Sequence, residues 1–499
     1  MNFRIPFSLT LVALVMLSCQ SKPKTVTPPN IIYILADDMG YGDVSALNTE
    51  SKVATPHLDK LLNEGLHFTD AHSNSALCTP TRYGTLTGRY CFRSRLKSGV
   101  LVGHEPALIE PDRPTVASVL KKAGYQTACV GKWHLGLDWA KKDSTQPLFH
   151  GGNLWDIFNT DNVDYAAPIS DGLKALGFDY SFIIPSSLDI APYVYIENDK
   201  VTAPVTHHTP HFADESARGI WYRHGDTADD FDHTTVLQTI TDKAIDFIHQ
   251  TDKNQPFFLY FPLTSPHTPW FPSEEYAGVS GAGVYGDFVA MTDGMVGQIM
   301  QKLDELNIAD NTLVIFTSDN GSHWLPSDVS EFEHLANGDF SGMKSDVWEG
   351  GHRVPFIAHW PKIINEKQVS DKVICSTDLL ATCAELNQIE LPQSAEDSYS
   401  YLTALTGDQS DQNKRELTIH HSVNGTFAIR KGDWKLIDAK GSGGWTLPEN
   451  DCEAKAMPQQ LYNIKQDPKE QQNLYATYPE KVKELNHLLA PYKKGNEAK

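Results

Sequence analysis

Positive charge is the scarce quantity in this chain: 42 Lys and Arg stand against 63 Asp and Glu, a formal net charge of −21 with a sequence pI near 5.3. Such a surface repels phosphate backbones at long range, which argues against nucleic acid as a partner. An anionic ligand would need a local positive pocket set against the global field. Paired cysteines are lacking too, because the seven Cys run from Cys19 to Cys452 with no CxxC and no zinc spacing. No segment reaches 18 uninterrupted apolar residues, so no membrane-spanning helix is expected. Repeats and low-complexity tracts are absent. What is left, 499 residues of which 40% are hydrophobic and 21% charged, is an ordinary globular composition. Its length allows one large domain or two to three smaller ones.

The N-terminus reads as an export signal. Met1 to Arg4 is short and positive, and Ile5 to Leu17 is a nearly continuous apolar run of 13 residues, the length of a signal-peptide core. It ends at Met16-Leu17-Ser18-Cys19, which resembles a bacterial lipobox, in which the Cys is acylated and becomes the mature N-terminus. The same stretch also reads as an ordinary cleaved signal. The expected division is a signal peptide over 1–18 and a lipid-anchored, Pro-rich linker over 19–29. Gln20-Ser21-Lys22-Pro23-Lys24 lacks an acidic run, so the anchored protein is expected on the periplasmic face.

From Asn30 the chain alternates short apolar runs with amphipathic stretches, the pattern of an α/β fold with a buried, mainly parallel sheet. Four runs end in polar residues. Ile31 to Leu35 stops at Asp37-Asp38, and Thr127 to Val130 leads into Lys132 and His134. Phe257 to Phe261 leads to His267, and Leu313 to Phe316 to Asp319-Asn320. Ligands of open α/β sheets bind beyond the carboxyl ends of the strands, so four such ends together make a site. Helices are expected over Thr55–Gly65, Pro114–Gly124 and Phe288–Leu306, the first two opened by Pro and closed by Gly. Met291, Met295, Ile299 and Leu303 recur at helical spacing and read as core.

The decisive segment is Cys78-Thr79-Pro80-Thr81-Arg82, continuing as Tyr83-Gly84-Thr85-Leu86-Thr87-Gly88-Arg89. Chance places a C-x-P-x-R spacing in roughly one chain in a hundred of this composition. Together with the four strand ends it resembles the type I sulfatases, the formylglycine-dependent branch of the alkaline-phosphatase superfamily. The resemblance implies an alkaline-phosphatase-like fold: a large mixed, mainly parallel sheet flanked by helices over 30–390, and a smaller antiparallel-sheet subdomain over 391–499. It also implies that Cys78 is oxidised to formylglycine by a dedicated maturing enzyme, and that one Ca²⁺ is held by Asp37, Asp38, Asp319, Asn320 and the Cys78-derived diol.

The residue types suit those roles. Asp37, Asp38, Asp319 and Asn320 are hard oxygen donors, which favour Ca²⁺ over softer metals. Pro80 just inside a helix start places Cys78 at its positive end. The resemblance assigns Arg82 to holding the diol, Lys132 and Lys344 to gripping sulfate, His134 to deprotonating the diol and His267 to protonating the leaving alcohol. One diol hydroxyl would attack sulfur, and collapse of the second would expel sulfate. The alternative is a phosphoryl hydrolase of the same superfamily, with a hydroxyl nucleophile such as Thr79 and two metals. Asn320 stands against it, since a two-zinc site calls for a carboxylate or His there.

Beyond residue 390, Glu416–His420, Thr426–Arg430 and Trp434–Ile437 read as successive antiparallel strands, and a closing helix is expected from about Tyr478 to Leu489. The His-rich stretch from His207 to His233 has no clean periodicity. A sugar-contacting rim made of Trp221, Arg223 and His224, with Arg93 and Arg95 after the nucleophile helix, is the expectation for it; a second metal is not. The substrate class expected is a sulfated glycan, either an algal polymer such as ulvan or a glycosaminoglycan.

Overall fold

Residues Asn30–Asp37 form strand β1, whose side chains alternate between two hydrophobic cores: Ile31, Tyr33 and Leu35 enter one, Ile32 and Ile34 the other. A strand buried on both faces reads as a continuous apolar run, which is why the sequence showed it so plainly. The computed structural model describes residues 28–148, 161–170, 172–214, 218–408, 415–453 and 455–494. The expected signal peptide, Cys19 and nearly all of the linker lie outside the described residues.

Around β1 lie β2 (Gln126–Lys132), β3 (Tyr180–Ile184), β4 (Phe257–Pro266), β5 (Thr312–Ser318) and β6 (Phe356–His359). The ten-stranded sheet is ordered 368–370, 66–68, β6, β5, β1, β4, β2, β3, 196–197, 200–201. The run from β5 through β3 is parallel and β6 is antiparallel to β5. All five parallel strands therefore end on one edge. Gly131 permits this packing, since a Cβ there would lie 1.9 Å from the carbonyl oxygen of Pro262 on β4.

Helices cover both faces. On one side pack α1 (Pro56–Glu64), α4 (Val236–Gln250) and α5 (Gly283–Glu305); on the other lie α2 (Cys78–Thr87), α3 (Val116–Lys122) and the helix Leu379–Leu386. Met291, Met295, Ile299 and Leu303 of α5 are all buried. Helix α3 starts later than expected: Thr115 is its N-cap, its hydroxyl accepting from the Ser118 amide, so Pro114 stays outside.

A four-stranded antiparallel sheet of Thr418–His421, Phe427–Lys431, Trp434–Ile437 and Gln460–Asn463 packs beneath helix Pro479–Lys493. The fourth strand was not expected from the sequence. Phe92, just after α2, joins this core and ties the subdomain to the Cys78 segment. No helix among the described residues is long and apolar enough to cross a membrane.

Candidate active site

The carboxyl edge of the sheet brings the expected residues together. Asp37 ends β1, Lys132 ends β2, Pro266 of β4 precedes His267, and Ser318 of β5 precedes Asp319-Asn320. Asp37, Asp38 and Asp319 each present an oxygen, all within 4.8 Å of one another, and Asp37, Cys78 and His267 form a second such group. Every one of these side chains is buried.

Three cations hold the acids. Arg82 donates from Nε and Nη2 to Asp319 Oδ2 at 3.0 and 2.7 Å, and from Nη1 to the Lys132 carbonyl at 2.8 Å. Lys132 Nζ lies 2.6 Å from Asp37 Oδ2, and Lys344 Nζ lies 2.7 Å from Asp38 Oδ2. Burial alone would raise both acids, but Lys132 beside Asp37 and Lys344 beside Asp38 hold each below the usual carboxylate range. Asp319 goes the other way, raised by burial and by Asp37. Two oxygens are left over. Asp37 Oδ1 and Asn320 Oδ1 are buried without a hydrogen-bond partner, which is how a cation site looks when its ligands are preassembled.

Cys78 opens α2, at the end where backbone amides are unsatisfied and the dipole favours anions. Burial pushes its thiol up to about 11, so the unmodified side chain is a neutral thiol. Thr79 Oγ1 donates to the His134 carbonyl at 3.0 Å and accepts from the Leu101 amide at 3.3 Å. That engagement leaves it poorly placed as a nucleophile.

Asp38 and His134 adopt left-handed backbone conformations, with φ of 66° and 54°. Lys132 and His134 therefore do not share one extended segment. β2 ends at Lys132 and the chain turns at His134, which puts a non-glycine residue in a conformation costing about 1–3 kcal/mol. His134 Nε2 lies 2.8 Å from the Leu101 carbonyl, Nδ1 is buried without a partner, and burial drives its pKa down, so the ring is neutral. His267 Nδ1 lies 2.5 Å from the Thr268 carbonyl; since a carbonyl only accepts, Nδ1 carries the proton and Nε2 points at the site, 3.7 Å from Asp38 Oδ2.

The rim candidates separate. Arg223 makes an ion pair with Asp189, whose Oδ1 is 3.9 Å from His267 Nδ1, and it stacks on Trp221 with 4.8 Å to the ring centroid. His224 is exposed, its Nδ1 3.2 Å from His208 Nε2. The structure corrects the assignment of Arg93. It is buried, bonded through Nε and Nη2 to Asp397 at 2.8 and 2.9 Å and stacked on Tyr492, so it clamps the C-terminal subdomain. Arg95 is exposed and lies 3.9 Å from Glu105. Residues 205–209 pair with 225–228, and 212–213 with 221–222, both antiparallel.

Two residues at the site were missed. Ser187 and Asp189 follow β3, a fifth strand end, and their side chains are hydrogen-bonded to each other. Burial would raise Asp189, but His267 and Arg223 hold it well below the usual carboxylate range. Tyr180-Ser181-Phe182-Ile183-Ile184 followed by Pro185-Ser186-Ser187 was the signal that could have found them.

The family model for sulfatases matches residues 29–389. The chain belongs to the sulfatase family. A second model, the C-terminal region of N-sulphoglucosamine sulphohydrolase, matches residues 343–494 of this sulfatase. An N-acetylgalactosamine-6-O-sulfatase of Bacteroides thetaiotaomicron is 35% identical, with 93% of each chain covered. Human arylsulfatase A is 31% identical over 90% of this chain and 83% of its own. Among solved structures, a B. thetaiotaomicron sulfatase from work on the metabolism of multiple glycosaminoglycans superposes with a TM-score of 0.79 at 33% identity, covering 94% of this chain and 99% of that one. A Pseudoalteromonas sulfatase shares the fold at a TM-score of 0.68 and 24% identity, with 95% and 92% covered. The enzyme is accordingly a sulfuric ester hydrolase with the alkaline-phosphatase-like fold.

Proposed function

We propose that this enzyme removes sulfate from a sulfated glycan, using a formylglycine made from Cys78 and one Ca²⁺. The observation that carries the reading is the pair of buried oxygens without a hydrogen bond, Asn320 Oδ1 and Asp37 Oδ1 (the latter 3.5 Å from Arg82 Nη2), set among carboxylates beside the Cys78 sulfur. Four hard oxygen donors fit Ca²⁺, and Asp37, Asp38, Asp319 and Asn320 would hold it. When bound, the ion supplies positive charge against a sulfate oxygen. The Cys78 sulfur stands in for the oxygens of the hydrated aldehyde, which supplies one hydroxyl to attack sulfur and a second whose deprotonation lets sulfate depart.

The chain's own groups do the rest. Lys132 and Lys344, now paired to Asp37 and Asp38, turn their ammonium charge to the sulfate oxygens. His134 is neutral with Nδ1 unpartnered, the form that accepts a proton. His267, its Nδ1–H anchored on Thr268, would serve the leaving oxygen from Nε2, with the Asp189 carboxylate 3.9 Å from Nδ1 helping to orient the ring. Arg82 braces Asp319 against the end of β2.

The N-acetylgalactosamine-6-O-sulfatase relative, matched over 93% of each chain, and the structural neighbour from glycosaminoglycan metabolism favour the 6-sulfate of an N-acetylgalactosamine-type residue over ulvan. The sequence of residues 1–29 supports removal of a signal, acylation of Cys19 and a periplasmic membrane-anchored location, with a maturing enzyme acting on Cys78. The test is sulfate release from a panel of defined 2-O-, 4-O- and 6-O-sulfated oligosaccharides alongside phosphate monoesters. Fastest turnover of a 6-O-sulfated hexosaminide is expected. Phosphate release without sulfate release would reverse the reading.

A further inference from the structure

Away from the sulfate site, three imidazoles meet in the interior. His72 lies just before the nucleophile segment, His352 in the turn before β6 and His420 on the first strand of the C-terminal sheet. Each is fully or almost fully buried, and one nitrogen from each lies within 4.8 Å of the others. Burial drives all three pKa values down, so the rings are neutral, the state in which imidazole ligates metals.

Their hydrogen bonds place lone pairs facing inward. His72 Nε2 is 2.7 Å from Asp70 Oδ1, and Asp70 is itself held ionised by that bond and by Arg353 and Arg430, against the effect of burial. An ionised carboxylate only accepts, so the 2.7 Å contact, shorter than those from Arg353 Nη1 at 3.3 Å and Arg430 Nη1 at 3.2 Å, puts the proton on Nε2 and leaves His72 Nδ1 a bare lone pair. His352 Nδ1 stands 3.0 Å from it, while His352 Nε2 lies 3.1 Å from the Val347 carbonyl. An outer nitrogen on a carboxylate and another on a backbone carbonyl is the arrangement that orients metal-binding histidines. His420 is more telling: both of its ring nitrogens are buried and neither has a partner. Tetrahedral Zn–N bonds of about 2.0–2.1 Å place ligand nitrogens roughly 3.3 Å apart, close to the spacing seen between His72 and His352.

We propose that His72, His352 and His420 bind one divalent transition-metal ion of the Zn²⁺ class, fastening the C-terminal sheet to the segment that precedes the nucleophile. The ring of His420 now lies parallel to His352, at 3.7 Å between centroids and 8° between planes. Lone pairs in parallel planes do not converge, so binding tilts His420 out of the stack. Asp70 and Glu349, with Glu470 pushed up to about 7 by burial, face Arg353, Arg430 and Lys435 around the rings, so the ion adds uncompensated charge. Its affinity is expected on the order of micromolar, below that of thiolate sites. The competing arrangement needs no metal. Lys435 Nζ, 3.1 Å from His352 Nε2, would donate to it, and His352 Nδ1–H would donate to His72.

Full-length enzyme is stripped with chelator, reloaded with Ca²⁺ and titrated with Zn²⁺, then desalted for elemental analysis. One Zn²⁺ per chain beyond Ca²⁺ is expected, lost in His420→Phe while turnover of a small aryl sulfate stays within about twofold. Co²⁺ substitution of the wild type gives an independent readout. Nitrogen ligands in tetrahedral geometry produce strong visible ligand-field bands, which an oxygen-only site does not. Equal Zn²⁺ content in wild type and His420→Phe, or Co²⁺ bound without those bands, would establish the hydrogen-bonded chain and overturn the metal site. Should His420→Phe fail to fold, the Co²⁺ spectrum of the wild type decides alone.

Discussion

Lys344 Nζ lies 2.7 Å from Asp38 Oδ2, and both side chains are buried. In the proposed mechanism the cation that would meet sulfate is thus stored on an acid that would hold Ca²⁺, each holding the other charged until substrate arrives. Removing Lys344 strands Asp38, and breaking a buried pair costs about 3–5 kcal/mol. Lys344→Met should lose that much stability without Ca²⁺, recover part of it when Ca²⁺ is added, and fall at least about a hundredfold in kcat/KM. Urea melts with and without Ca²⁺, beside aryl sulfate kinetics, measure both. A variant as stable as wild type in chelator would remove Lys344 from the site.

Chelation should abolish turnover, with Ca²⁺ restoring it more fully than Zn²⁺, because every donor in the set is a hard oxygen. Asn320→Ala removes one of the two orphaned oxygens without touching a charge. Its Ca²⁺ affinity, read by calorimetry, should fall about ten- to a hundredfold.

The Arg223–Asp189–His267 contact alters what a rim mutation does. His224 is exposed and hydrogen-bonded to His208, away from the Cys78 cluster, so His224→Ala should lower kcat/KM on a glycan and leave a small aryl sulfate nearly unchanged. Arg223→Ala frees Asp189, next to His267, the proposed general acid, and should cost about tenfold on both substrates. Equal selectivity in the two variants would contradict this division.

Stability should fall on mild acidification. Burial lowers His104 and His421 from 6.5 to about 4. A depressed folded-state pKa gives stability that is present above 6.5 and lost as pH falls towards 4, up to about 3 kcal/mol per group. Net charge argues the other way, since approaching the pI of 5.3 relieves self-repulsion. Urea midpoints at pH 7 and pH 5 discriminate. A lower midpoint at pH 5, partly rescued in His421→Gln, is expected; an unchanged or higher one would assign the dominant effect to surface charge.

Asp37-Asp38, His267 and Asp319-Asn320 were legible because they follow apolar runs buried on both faces, where the period is unmistakable and the first polar residues mark the sheet edge, whereas Cys78, at the start of α2, was legible from its C-x-P-x-R spacing. What stayed hidden is tertiary. The turned backbone at Asp38 and His134 carries no glycine to announce it. Arg93 looked like a rim cation since nothing near it in sequence hints at Asp397, 304 residues on. The strand Gln460–Asn463 is short and polar-ended, and its partner Trp434–Ile437 lies beyond a long excursion. Asp189 shows its role only once the fold sets it beside His267.

The most direct measurement is sulfate release by protein matured with the converting enzyme, compared with Cys78→Ala and paired with the mass of the peptide that holds residue 78. The peptide should be about 18 Da lighter than its cysteine form. The matured enzyme should release sulfate while Cys78→Ala, folded and able to bind Ca²⁺, releases none above background. Turnover by Cys78→Ala at the matured enzyme's rate, or full activity with an unmodified cysteine, would contradict the account.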